Sequence, residues 1–103
     1  MPLAQDQKKR FRQIGHHLKP IVMIADKGLT NNVLSELERA LEDHELIKVK
    51  LAVLDRDDKQ TLISAICEES NAELVQAIGK IALLYRAAKK PNPKLSNILR
   101  NHT

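Results

Sequence analysis

Between Lys19 and Lys50 the hydrophobic period of the chain changes twice, and this limits the possible folds more than any other feature. Ile21-Val22-Met23-Ile24 is continuously apolar and halts at Asp26-Lys27-Gly28. A short apolar run ending in a glycine turn predicts a strand buried on both faces. From Thr30, Val33, Leu34, Leu37, Ala40 and Leu41 recur at helical spacing. Thr30 is placed to cap that helix through its hydroxyl, and with no Glu or Gln at position 33 there is no capping box. From Glu45 the period drops to two, with Ile47, Val49, Leu51 and Val53 on one side and Lys48 and Lys50 on the other. Strand, turn, helix and strand in this order form a β-α-β unit, whose strands pair in parallel through a right-handed crossover.

The flanking segments complete the pattern. Residues 4–18 predict a helix, with Phe11, Ile14 and Leu18 on one side, joined by Ala4 and Gln7. Lys8, Arg12, His16 and Lys19 fall together on another side. Gly15 weakens the last turn and Pro20 stops the helix. Asp55-Arg56-Asp57-Asp58 reads as a turn offering an aspartate cap, and Leu62, Ile63, Ile66 and Cys67 then mark a third helix that Asn71 can end in a left-handed conformation. Ala72–Ile78 and Ile81–Tyr85 are strand-like runs joined by Gly79-Lys80, a two-residue hairpin signal. The predicted order is α-β-α-β-α-β-β: one domain of the α/β or α+β class, with a mixed four-stranded sheet packed by helices. Past Arg86 all periodicity is lost, and Pro91 and Pro93 sit in a basic stretch, so residues 87–103 are expected to form a flexible tail beside a folded domain over 1–86.

Charge along the chain is segregated. Residues 1–20 carry five basic side chains against one acid, residues 21–85 carry seven against twelve, and residues 86–103 carry five and no acid. Two basic ends around an acidic body favour a polyanionic partner more than the net charge of +4 suggests. No apolar run nears the ~18 residues of a membrane span, and the N-terminus lacks the apolar core of a secretory signal. The single cysteine fits a reducing compartment, so a cytoplasmic protein without membrane contact is expected. Cys67 lies on an apolar helix stripe, where a buried, inert thiol is the expected role. His16, His17 and His44 have no second ligand at metal spacing. The paired acids Asp57-Asp58 and Glu68-Glu69 lie at helix ends, where capping accounts for them. No phosphate-binding loop, dinucleotide fingerprint or nucleophile elbow occurs. The expectation is a protein that is not an enzyme, with no cofactor, metal or small-molecule substrate.

What remains is the turn. A glycine turn feeding a helix N-terminus presents unpaired N–H groups, Gly28 permits close backbone approach, and Lys27 adds a mobile cation. Ala25-Asp26-Lys27-Gly28-Leu29-Thr30 followed by a helix, then His44-Glu45-Leu46-Ile47-Lys48-Val49-Lys50, then Ile78-Gly79-Lys80 and Leu83-Leu84-Tyr85-Arg86, resembles the CRM domain family with its bacterial YhbY-like members. The resemblance covers residues 3–86. It implies an RNA-binding domain similar in fold to the C-terminal domain of translation initiation factor 3. Plant members of the family act in organelle intron splicing, and bacterial members associate with precursors of the large ribosomal subunit. The family loop has the form Gly-x-x-Gly, and Ala25 stands here where the first glycine is expected.

Taken with the basic ends, the resemblance implies an RNA-binding protein, expected to be monomeric, that associates with ribosomal RNA in large-subunit precursors and assists assembly. Ala25, Asp26, Lys27, Gly28 and Thr30 would form the loop, flanked by Lys8, Arg12 and Lys19 on the first helix and by Lys48, Lys50 and Arg86 on the sheet. With Phe11 and Tyr85 the only aromatics, binding should rest on phosphate and shape. An alternative is an adaptor whose acidic helix 30–43, bearing Glu36, Glu38, Glu42 and Asp43, docks a basic ribosomal protein. A helix-turn-helix DNA binder ranks lower, because the would-be recognition helix is acidic and is followed by a strand.

Overall fold

The computed structural model describes residues 4–25, 28–52 and 56–98. Its elements are α1 (Gln5–Gly15), β1 (Pro20–Ile24), α2 (Asn31–His44), β2 (Leu46–Leu51), α3 (Arg56–Ser70), β3 (Glu73–Ile78) and β4 (Ile81–Tyr85). The strands form one sheet in the order β1-β2-β4-β3. β1 and β2 pair in parallel, as the β-α-β reading requires, and the other two pairings are antiparallel. Val53 and the cap expected at Asp55 lie outside the described residues.

Period-2 burial divides the sheet between two cores. Val22, Ile24, Ile47, Val49, Leu51, Ala82 and Leu84 face α2 and α3, meeting Leu37, Leu41, Ile63 and Ile66. Fully burying one such aliphatic side chain is worth ~1.5–3 kcal/mol, so this layer supplies most of the driving force. On the other face Phe11 and Ile14 of α1 pack on Leu46, Val75 and Leu83, and the Phe11 ring tilts against Tyr85 at 4.7 Å between centroids. Gly15 lets the end of α1 come close, since a Cβ there would lie 2.6 Å from a Leu83 methyl. The sequence shows Gly15 only as a weak helix residue; its packing role follows from the docking. The helix is shorter than 4–18 because His17 and Leu18 donate their N–H groups to Ile14 and Gly15, tightening the chain into a turn.

One expectation is corrected. β1 is not buried on both faces: Ile21 and Met23 are 51% and 60% exposed. α1 packs over β2, β4 and β3, and β1 at the sheet edge is left uncovered on that side.

Left-handed backbone appears where the turn signals place it, at Asn71 after α3 and at Gly79 in the hairpin. Glu45, directly after α2, also has a positive φ, +62°, unusual for a glutamate. Its buried carboxylate accepts from the Ala88 N–H at 2.9 Å and from the Ser96 hydroxyl at 2.6 Å. Residues 87–98 form no helix or strand, as their missing periodicity predicts. The stretch expected as a flexible tail is fastened at these points. Asn97 also donates its N–H to the His44 carbonyl and its amide to the Leu46 carbonyl.

Candidate nucleic-acid interface

The turn after β1 is closed by the Gly28 N–H donating to the Ala25 carbonyl at 2.9 Å, and the Thr30 N–H donates to the Gly28 carbonyl at 3.1 Å. Gly28 has φ +69°, and a Cβ there would meet nothing within 4 Å. The glycine is thus needed for its left-handed backbone, and the space beside it is open. Ala25 is exposed and is not among the described residues with positive φ. An alanine therefore creates no strain where the family pattern has glycine. Asp26 and Lys27 lie outside the described residues.

Thr30 caps α2 as expected, its Oγ1 accepting from the Val33 N–H at 3.2 Å. The N–H groups of Gly28, Thr30 and Val33 are therefore satisfied internally. The Asn31 and Asn32 N–H groups, at the positive end of the helix dipole, have no backbone acceptor among the described residues.

This turn stands at the end of the sheet where β1 and β2 finish, with the Ala52 N–H on the Ile24 carbonyl and the Leu51 N–H on the Lys80 carbonyl. The β3–β4 turn thus closes the same end, and the ammonium of Lys59 donates to the Gly79 carbonyl there. Lys59 carries no signal in the sequence pattern, and Lys80 stands out there only as part of the hairpin turn and the family motif.

Lys48 and Lys50 lie on the α1 side of β2, their neighbours Ile47, Val49 and Leu51 being buried on the other side. Lys48 lines two shallow hollows, one of about 190 Å³ with His16, Gln76 and Ile78, and one of about 210 Å³ with Lys19 and Ile21. Lys48 thus adjoins His16 on one side and Lys19 on the other, and Lys50 follows it along the same open face of β2. Lys8 and Arg12 precede His16 in the same i, i+4 column of α1 and are partly buried. Among the described residues, none of these lysines nor Arg12 has a carboxylate within ion-pair distance.

Arg86 belongs elsewhere, and its place among the flanking phosphate contacts is not supported by the geometry. Its guanidinium donates to the Glu38 carboxylate at 2.7 Å and to the Ser70 carbonyl at 3.0 Å. It lines a broad groove of about 990 Å³ beside α2, with Glu42, Glu69 and Lys89. Arginine at a strand end looks alike in sequence whether it is free or clamped; the acceptors come from distant segments.

Burial pushes the Cys67 thiol above its ordinary 9.0, and the Glu73 charge adds to this against a backbone hydrogen bond at Leu74. Burial, then the Glu45 charge, raise the Tyr85 phenol above its ordinary 10.0. Neither group is set up to ionise near neutrality. Among the described residues no cluster of three His, Cys, Asp or Glu could hold a metal ion, and no helix is long and apolar enough to cross a membrane.

The fold is a small α+β domain with a half-covered mixed sheet, a glycine turn at one end of it, and on its open face cations without an ion-pair partner among the described residues. The chain belongs to the CRS1/YhbY (CRM) domain family, whose model matches residues 3–86. A Pseudomonas aeruginosa protein named "Probable RNA-binding protein PA4753" is 60% identical over 100 residues, spanning 97% of this chain and 96% of that one. A Haemophilus influenzae "RNA-binding protein" is 47% identical, covering 90% and 94% of the two chains. The solution structure of the hypothetical protein SAV1595 from Staphylococcus aureus superposes with a TM-score of 0.76 at 35% identity, over 86% of this chain and 93% of that one.

Proposed function

We propose that this protein binds RNA, and that its target is ribosomal RNA within precursors of the large subunit, whose assembly it assists by binding rather than by catalysis. The observation that carries the reading is a run of cations on one open sheet face: Lys48 lines one hollow with His16 and a second with Lys19, and Lys50, opposite Met23 on the same face, leads toward the Gly28 turn. Unpaired cations beside a backbone that can be approached closely suit a phosphate chain, whose binding is dominated by neutralised phosphates. Lys8 and Arg12 extend the surface along α1, and Ala25, Asp26, Lys27, Gly28 and Thr30 form the loop at its end. Relatives named as RNA-binding support the nucleic acid, and the family resemblance supports the ribosomal target. The protein acts as a monomer in the cytoplasm.

Crosslinking in cells, followed by sequencing of the attached RNA, tests this directly. Reads concentrated in large-subunit ribosomal RNA, with cosedimentation in precursor fractions, are the expected result. Crosslinks spread over messenger RNA, or none above background, would remove the ribosomal assignment.

A further inference from the structure

The half of the sheet that α1 leaves open is not merely basic. Pairing register places Met23, Lys50, Ile81 and Ile78 side by side across all four strands. Residues paired directly across a sheet share a face, and at ~4.8 Å between strands the row spans roughly 14 Å. Met23 and Ile78 are 60% and 64% exposed, two of the most exposed large apolar side chains among the described residues. The next row inward holds Lys48, Leu83 and Gln76, and this row borders the hollow that also takes in His16. The outer row ends at the strand termini from which the Ala25–Gly28 turn and the Gly79-Lys80 turn emerge.

An exposed apolar row is a liability at a sheet edge unless something covers it. Its charge identifies the occupant. A lysine stands inside the row and another behind it, with no acid paired to either among the described residues, so the occupant must bring negative charge together with apolar surface. An unpaired nucleotide strand matches both parts, with base faces on Met23, Ile81 and Ile78 and phosphates toward Lys48, Lys50 and the Gly28 turn. Every base has an apolar face, so such a seat is tolerant of sequence and needs no aromatic ring to exclude water. A duplex hides its base faces and gains nothing from the row.

We infer that the row Met23, Ile81 and Ile78 seats the bases of a single-stranded RNA segment whose backbone runs along Lys48 and Lys50. This rests on the RNA-binding reading and adds to it a strand state and a base-contacting surface, where aromatic content had pointed to phosphate and shape alone.

The test pairs the variant Met23→Ser/Ile78→Ser with two RNA oligonucleotides of equal length, one of mixed sequence and one abasic. Both side chains are largely exposed, so the variant should fold, and a thermal melt checks that it does. Wild type should bind the base-bearing strand about tenfold more tightly than the abasic strand, and the variant should lose most of that difference. The salt slope should stay unchanged, because no charge is altered. Equal wild-type affinity for the two strands, or a folded variant that keeps the preference, overturns the base seat and leaves the RNA reading standing. Binding of neither strand at low salt overturns both. Concentration-dependent dimerisation of wild type that the variant abolishes would assign the row to a second copy of the chain and overturn the proposal.

Discussion

Arg86→Ala separates a structural cation from a phosphate-binding one. The Arg86 side chain is 19% exposed and its partner Glu38 is 51% exposed, so the ion pair itself is screened and worth ~0–1 kcal/mol. The bond to the Ser70 carbonyl matters more, because Ser70 is fully buried. Leaving a buried acceptor unpaired costs ~1–3 kcal/mol. The two together give ~2 kcal/mol for the truncation, which in a domain of this size lowers the melting temperature by roughly 8–16 °C. Calorimetry or urea unfolding reads this loss. RNA titrations across a salt series, on the folded variant well below its melting point, should show an unchanged slope of log affinity against log salt. Lys50→Ala should do the reverse, flattening the slope by ~0.7 while stability stays within ~0.5 kcal/mol. The assignment of Arg86 is refuted if Arg86→Ala keeps wild-type stability and flattens the slope as a lost phosphate contact would.

Gly28→Ala meets no steric obstacle but forces alanine into a left-handed conformation, so it should cost ~1–2 kcal/mol by urea unfolding; its RNA affinity at matched folded fraction should also fall, and full affinity would place the RNA backbone away from this turn. Glu45→Ala leaves the Ala88 N–H and the Ser96 hydroxyl without their acceptor, and a loss of ~2–4 kcal/mol is expected, with faster amide exchange at Ala88 and Ile98; unaltered exchange there would show that Glu45 does not hold the C-terminal segment. Cys67 should react slowly with iodoacetamide at neutral pH, its rate rising only above the ordinary thiol range of 9.0. The raised thiol gives the folded state its advantage below that range, an advantage lost as pH rises through it. A thiol titrating at or below 9.0 would contradict the burial argument.

Element order and pairing direction were legible because periodicity and turn chemistry are local. The change from period 3.6 to period 2 at Glu45, and the Gly79-Lys80 hairpin, needed only near neighbours. The exposure of Met23 was not legible, since an uninterrupted apolar strand looks the same whether or not a helix covers its second face. Only the docking of α1 over β2, β4 and β3, enabled by the close approach of Gly15 to Leu83, decides that. The interface divides in the same way. Alternation placed Lys48 and Lys50 together on one side of β2, whereas their meeting with Lys19 and His16, and the removal of Arg86 to the α2 side, depend on segments far apart in the chain. In the sequence Glu45 marks only the start of a strand. A lone glutamate between a helix and an apolar strand is a candidate buried acceptor, but its partners Ala88 and Ser96 lie in a stretch without pattern.

The acidic helix bears on the choice between an RNA binder and an adaptor for a basic protein. Of the four carboxylates that the adaptor would use, Glu38 is held by Arg86, and Glu42 accepts the Lys89 N–H at 3.0 Å. The basic C-terminal end of the chain thus already covers part of its acidic middle, and a basic partner would have to displace contacts that stabilise the fold. The cations of α1 and of the open sheet face are in the opposite situation. Lys8, Arg12, Lys19, Lys48 and Lys50 have no carboxylate opposite them among the described residues, so a polyanion reaching that face meets charge that no described carboxylate neutralises. Charge segregation along the sequence therefore resolves in space into one surface paired internally and one left open, and the open one is positive.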